Sequence, residues 1–315
     1  MVLTTSQANQ EQASQEVTSQ AVINQKAAIP SAIRSPLHLS MRVAQAGSLS
    51  QTGRSFIAHQ YASYPFRLSS NLRLDPDDPG RVYAYIMNAA PGVLSGDDLR
   101  SRVEVGDRAR LYLTDQSATK VHSKPTEGSP AQVTLEIQVG NGAYFEYVPE
   151  PLILFNSAAL TQRLDVTLHP HGRFISSEII VPGRLARGEF YQFEQFESRL
   201  RVQTPAGQLI FADNLRLIGQ ANRFQHSAFV TAYPIIGTLI AAVPGIDLDT
   251  LIQKLQQHEV AADTLQVCES PLPGGNGILV RAIATQVSAI KAYQHFLLNC
   301  IRQLAGQPLM PTIPK

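Results

Sequence analysis

"LEIQVGNGAYFEYV", Leu135–Val148, decides the fold. Leu135, Ile137 and Val139 alternate with Glu136 and Gln138, a period of two that belongs to a strand with one face buried. Gly140-Asn141-Gly142 breaks the run as a turn, and a second strand leaves it. Three other stretches share the plan: "VEVGDRARLYL" (Val103–Leu113), "LDVTLHPHGRFISSEII" (Leu164–Ile180) and "LRVQTPAGQLIF" (Leu200–Phe211). Their turns begin near Gly106, Gly140, His169 and Thr204, about thirty to thirty-five residues apart. Such spacing points to stacked supersecondary units, each burying its apolar face on the next. The expected fold is mainly β, with β-solenoid-like stacked strands.

Outward from this centre the character changes. Residues 1–35 are rich in Gln, Ser, Ala and Thr and contain no aromatic residue. Too little apolar surface is available there to offset ordering, so a flexible tail is expected over 1–35 and the β body over 36–246. "AFVTAYPIIGTLIAAVPG" (Ala228–Gly245) is interrupted by Pro234, Gly237 and Pro244 and reads as a buried strand or strand pair, not a membrane helix. Helical spacing appears late. "DLDTLIQKLQQH" (Asp247–His258) has an aspartate cap, and "ATQVSAIKAYQHFLLNCIRQLAG" (Ala284–Gly306) places Val287, Ile290, Leu297, Cys300, Ile301 and Leu304 on one face. Between them "SPLPGGNGILVRAIA" reads as a glycine turn and a strand, giving a helix-strand-helix cap over 247–315.

The 315 residues carry a formal net charge of +1 and only 16% charged side chains, so no electrostatic feature favours a nucleic acid or an anionic membrane. A charge-poor chain suits large protein interfaces. Cys268 and Cys300 form no CxxC pattern, which argues against a disulfide framework or a cysteine-built zinc site and fits a reducing cytoplasm.

Four features could carry chemistry. "HPHGRF" offers His169 and His171 as weak metal ligands, but it falls at a turn with no third ligand nearby in sequence. "PGVLSGDD" (Pro91–Asp98) has too few residues between Gly92 and Gly96 for a phosphate loop, and Asp97 would repel phosphate. It is a turn whose aspartates bond the local backbone, or a bend aiming Asp97 inward. "LTDQSATKVH" (Leu113–His122) groups hydroxyls with Lys120 and His122, yet Ser117 and Lys120 fall on opposite faces of an extended chain, which disfavours a nucleophile pair. Finally, Glu146, Glu178 and Asp213 interrupt apolar strands. Each is solvated or buried with a partner, the solvated face being the default. A β-helical carbohydrate-active enzyme would need paired carboxylates with aromatic platforms, and this chain has no tryptophan. A metal-independent structural scaffold is the other alternative.

In order along the chain, "YPFRLSSNLRLDP", "NAAPGVLSGDDL", "VEVGDRARLYLTDQSATKVHSKP", "FEYVPEPLILFNSA", "SSEIIVPGRLARGEFY", "LIFADNLRL" and "LPGGNGILVRAIA" resemble the urease accessory protein D family (UreD, also called UreH). The resemblance runs from about Ser35 to the C-terminus. It implies a non-catalytic cytoplasmic protein with a β-solenoid-like body and C-terminal helices. It further implies binding to apo-urease and to urease accessory protein F, and through the latter to the GTPase urease accessory protein G. Nickel would be in transit, with no permanently bound cofactor. Asp97, Thr119, Lys120, Glu178 and Asp213 match positions lining the nickel route, and Gly92, Gly96, Gly183 and Arg184 match its turns, with Ser95 replacing a family glycine. Lys120 is then expected to pair with a carboxylate such as Asp97.

Overall fold

The computed structural model describes residues 36–46, 53–78, 80–219 and 227–314; the tail expected over 1–35 lies outside the described residues. Two open sheets carry the fold. The seven-stranded sheet runs β14 (Leu209–Leu217), β13 (Gln195–Gln203), β11 (Ala159–Leu168), β8 (Ala131–Val139), β5 (Asp98–Val105), β1 (Leu39–Gln45) and β2 (Ser55–Ala62). The ten-stranded sheet runs β16 (Leu265–Pro271), β17 (Gly277–Ala284), β15 (Ile235–Ala242), β12 (Arg173–Val181), β9 (Tyr144–Tyr147), β6 (Arg110–Asp115), β4 (Val82–Asn88) and β3 (Phe66–Leu68). Two short strands, β7 (Thr119–Val121) and β10 (Leu152–Leu154), pair with each other, and β10 also pairs with β12.

The chain steps between sheets at the glycine turns. β5 crosses to β6 at Gly106, β8 to β9 at Gly140, and β11 to β12 at His169. Successive strands within each sheet are parallel: Ser101 pairs with Leu135, Leu135 with Leu164, and Leu164 with Leu200. The turns stack as well. Gly140 N–H donates to Val105 O at 2.8 Å, His169 N–H to Val139 O at 2.9 Å, and Asn141 N–H to the Asp107 carboxylate at 2.8 Å. This regular layering stops at the flanks. The Thr204 turn makes an antiparallel hairpin of β13 and β14 within one sheet, not a fourth crossing. β1–β2 and β12–β15–β17–β16 are antiparallel too. The repeat is thus confined to the middle of the chain.

Inward alternation fills the space between the sheets with two apolar clusters. One lies towards the turns, around Val103, Val105, Leu111, Ile137, Phe145 and Phe174. The other lies towards the opposite strand ends, around Val93, Leu99, Leu160, Ile180, Tyr191 and Phe196. A third covers the outer face of the ten-stranded sheet, where the C-terminal helix Val287–Leu304 packs. Of the expected helical face, Ile290, Leu297, Cys300 and Ile301 are buried, and Val287 and Leu304 are half-buried. The shorter helix Leu248–Gln256 starts as its cap predicts, Asp247 accepting from Thr250 N–H at 3.1 Å. Two expectations need correction. The segment from Ala228 opens with a helical turn, Ala228–Ala232, in which Thr231 N–H bonds Ser227 O at 2.9 Å; only after Pro234 does strand β15 begin. β16, unread in the sequence, joins β17 as an outer strand, so the C-terminal part is hydrogen-bonded into the body's sheet.

Candidate functional site

A cavity of about 190 Å³ lies between the sheets, where the two apolar clusters give way to polar side chains. It exists because inward positions that should be apolar are not. β11 reads Leu160-x-Gln162-x-Leu164 and β13 reads Phe196-x-Ser198-x-Leu200, so one polar side chain per strand enters the interior. Opposite them, β12 contributes Ser176 and Glu178, and β15 contributes Thr238, directly paired with Glu178.

The ten-stranded sheet has a seam at this level. β6 ends at Asp115 and pairing resumes only at Thr119; β9 ends at Tyr147 and pairing resumes at Leu152; β4 ends at Asn88. Pro149 and Pro151 have no N–H to give the ladder, and this enforces the gap in "YVPEPL". Asn88, Asp115, Ser117, Thr119 and Glu150 all line the cavity along this seam. The polar groups of "LTDQSATKVH" therefore sit where a strand is interrupted beside a cavity.

Glu178 is the central acid. Ser198 Oγ donates to its Oε1 at 3.1 Å, and Gln162 Nε2 donates both to the same oxygen and to Ser198 Oγ, the latter at 3.0 Å. Among the described residues no cation pairs with it directly. Burial pushes its pKa up to about 7; the hydrogen bond from Ser198 opposes this, the negative charge of Asp213 adds to it, and Arg281 and Gln162 oppose it. Asp213, on β14, accepts from Arg281 Nη2 at 2.5 Å, while Arg281 Nη1 donates to Thr238 Oγ1 at 2.6 Å. Arg281 belongs to β17 of the other sheet, so this pair bridges the two sheets at one side of the cavity. Asp115, Tyr147 and Glu178 all line the cavity, and burial, reinforced by the charges of Asp115 and Glu178, holds the Tyr147 phenol well above its ordinary pKa.

The sequence candidates divide accordingly. Thr119, Glu178 and Asp213 lie on the cavity wall; Asp97 and Lys120 do not. The Asp97 carboxylate turns back to accept from Leu94 N–H at 2.8 Å, the local-bonding alternative, and Lys120 is exposed. The expected Asp97–Lys120 pair does not form, because the turn's own backbone takes the carboxylate. The two segments meet instead through their main chains: Val93 N–H donates to Lys120 O at 2.8 Å and His122 N–H to Val93 O at 2.9 Å. A Cβ on Gly92 would lie 2.3 Å from Lys120 O, and Gly96 sits at φ +80°. Gly183, at φ +138°, faces the Glu189 carbonyl with room for no side chain, while Arg184 bonds the Glu189 carboxylate and lies 4.6 Å from the Phe155 ring centre. These four are turn-building residues. His169 and His171 stay on an exposed turn, where His171 N–H donates to His169 Nδ1 at 3.2 Å. Among the described residues no cluster of three or more His, Cys, Asp or Glu could hold a metal.

Glu146 is a different case from the other embedded acids. It points to the outer face of the sheet and is fully buried, clasped by Arg302 of the C-terminal helix at 2.8 and 2.5 Å and by Arg81 at 3.4 Å. Burial alone would raise its pKa, but the two guanidinium charges outweigh burial and hold it below the ordinary range. The sequence reading missed Gln162, Ser198 and Glu150 as wall residues and Arg281 as the partner of Asp213. The signal for Gln162 and Ser198 was present: each breaks the apolar phase of its strand.

Residues 38–315 match the UreD family, described as UreD urease accessory protein. The chain is 40% identical over 265 residues to a urease accessory protein UreD of Trichodesmium erythraeum (strain IMS101), covering 84% of this chain and 95% of the relative. It is similar also to a urease accessory protein UreD of Haloarcula marismortui, 34% identical over 240 residues, covering 76% and 78% respectively. A third, from Arthrobacter sp. (strain FB24), is 33% identical over 205 residues, covering 64% and 67%.

Proposed function

This chain belongs to the UreD urease accessory protein family, whose role is accessory and not catalytic, and we propose that within urease maturation its inter-sheet cavity is a transit path for Ni²⁺ on the way to apo-urease. One observation carries the reading: the largely apolar wall of the cavity is interrupted by carboxylate, hydroxyl and amide oxygens, those of Glu178, Asp213, Glu150, Thr238, Ser198 and Gln162 among them. Oxygen ligands and water attract a hydrated dication without gripping it, and passage requires entry and release to be comparably easy. Thiolate or clustered imidazole would hold nickel more firmly, and among the described residues none lines the wall. Partners follow from the same role: the apo-urease subunits, urease accessory protein F, and urease accessory protein G through the assembled complex, all in the cytoplasm. No helix among the described residues is long and apolar enough to cross a membrane.

The test replaces Glu178 or Asp213 by Leu in the full accessory complex. Nickel in the activated urease is then measured by mass spectrometry, alongside co-purification of every partner. The expected result is a loss of nickel loading with the complex intact. Full loading by both variants would refute the transit path and leave a metal-independent scaffold as the accessory role.

A further inference from the structure

At the seam the cavity wall includes Ser177 and Ile179 as well as the inward Ser176 and Glu178, so positions of both faces of β12 meet it there. β12 passes the seam unbroken: its last pair with β9 is Ser176–Tyr147 and its first with β10 is Leu152–Ile180. Ser177 and Glu178 fall between these pairs. Ser177 is 5% exposed, its Oγ has no hydrogen-bond partner among the described residues, and it lines the cavity. A buried hydroxyl without a protein partner marks a polar, wettable spot. Glu150, in the loop that spans the gap, lines the same wall and is held by Lys291 Nζ at 2.5 Å. Lys291 stands in the first turns of the C-terminal helix, which packs on that outer face. The Glu150 side chain is 12% exposed and the Lys291 side chain 40%. An ion pair therefore joins the cavity wall to a side chain that reaches solvent.

The ion pair of the wall residue Asp213 is built differently. Arg281 is forked between Asp213 and Thr238 and ties the two sheets together, so moving it breaks two bonds. Lys291 bonds Glu150 through a single ammonium on a flexible stem that already reaches water, so it can swing out with little loss of packing. Of the two, the Glu150 end is the one that opens cheaply.

We propose that Glu150 and Lys291 form a side gate of the cavity, in which the Lys291 ammonium occupies the place on Glu150 that a divalent cation takes as it passes through the seam. This rests on the transit reading above. It assigns Glu150 as a cation-contacting residue and Lys291 as the positioning residue that controls access to it.

Substituted-cysteine accessibility of the full-length protein tests the gate without nickel. Ser177→Cys is treated with a small cationic methanethiosulfonate, and modification of the peptide containing position 177 is followed by mass spectrometry, which separates it from Cys268 and Cys300. Adding Lys291→Gln should raise the modification rate about fivefold, the scale of a partly exposed ion pair. Glu150→Gln, which removes the pair from the other side, should do the same, whereas Lys291→Arg should keep the rate low. Equal rates in all four proteins would overturn the gate. The two readings fail separately: unchanged rates with impaired nickel loading by Glu178→Leu reject the gate alone. Raised rates with unimpaired loading leave an opening that carries no nickel and reject the transit path.

Discussion

Glu178 shows how one residue's surroundings set a measurable pH dependence. Its folded-state pKa of about 7 stands above the ordinary carboxyl value of 4.5, so the native protein binds a proton that the unfolded chain has released across that window. Stability therefore falls as pH rises from about 4.5 to 7, by on the order of 3 kcal/mol in full. Glu178→Gln should remove this slope: urea midpoints at pH 5 and pH 8 should differ less in the variant than in the parent, with the gain at pH 8. A parent and variant with parallel pH profiles would show that the carboxyl is solvated as an ordinary acid. Glycines give a second test at this scale. Gly183→Ala would put a Cβ 2.5 Å from the Glu189 carbonyl at an unfavourable φ, whereas Gly96→Ala meets only the left-handed backbone and open space. The first should cost about 1–3 kcal/mol and the second about 1 kcal/mol, a ranking that thermal unfolding of the two variants checks.

Among the elements, the C-terminal helix depends on a pairing no helical pattern announces. Arg302 is fully buried and reaches both Glu146 on β9 and, at 3.4 Å, the Tyr83 hydroxyl on β4. Arg81 adds Asp78 at 3.3 Å and the amide of Gln307, so the chain after the helix is tied to the same network. Removing one member of such a set strands a buried charge. Arg302→Met should destabilise the protein by about 3–5 kcal/mol, measured by chemical denaturation, and Glu146→Gln/Arg302→Met should recover part of the loss. No recovery would mean that Arg302 acts through its packed stem and not through its charge. The apolar phase of this helix was legible in the sequence because it repeats every turn. Arg302 was not, because its partners are separated from it by 156 and 219 residues.

At the scale of the whole molecule, β2 is the edge strand of the seven-stranded sheet, with no second strand paired to it among the described residues, and Phe56 and Tyr61 on it are 42% and 49% exposed. An exposed aromatic edge strand favours association. The isolated protein should sediment as a concentration-dependent mixture, and Phe56→Lys/Tyr61→Lys should shift it towards monomer. A monodisperse parent at all concentrations would show that the edge is inert. The stacked parallel core has a further consequence. Its strand pairs close loops of about thirty residues before any reward, so refolding should be slow, on the scale of milliseconds to seconds or longer.

The period-two alternation around Gly106, Gly140 and His169 is a local property, and by itself it determined strands, turns and the inward faces. The same alternation, read one step further, would have marked Gln162 and Ser198 as polar intrusions into an apolar face. The motifs also sufficed for the family, because their order along the chain is itself sequence information. What the sequence left open was adjacency. Whether Glu146, Glu178 and Asp213 met water, an arginine or one another depended on which strands stack and on which sheet the chain enters after each turn. Only the tertiary structure aligned the breaks near Asn88, Asp115 and Tyr147 into one seam, put Arg281 across from Asp213, and turned Asp97 away from Lys120. The physical reason is that a side chain's phase along its strand is set by its immediate neighbours, whereas its charge partner is set by residues brought close only when the layers assemble.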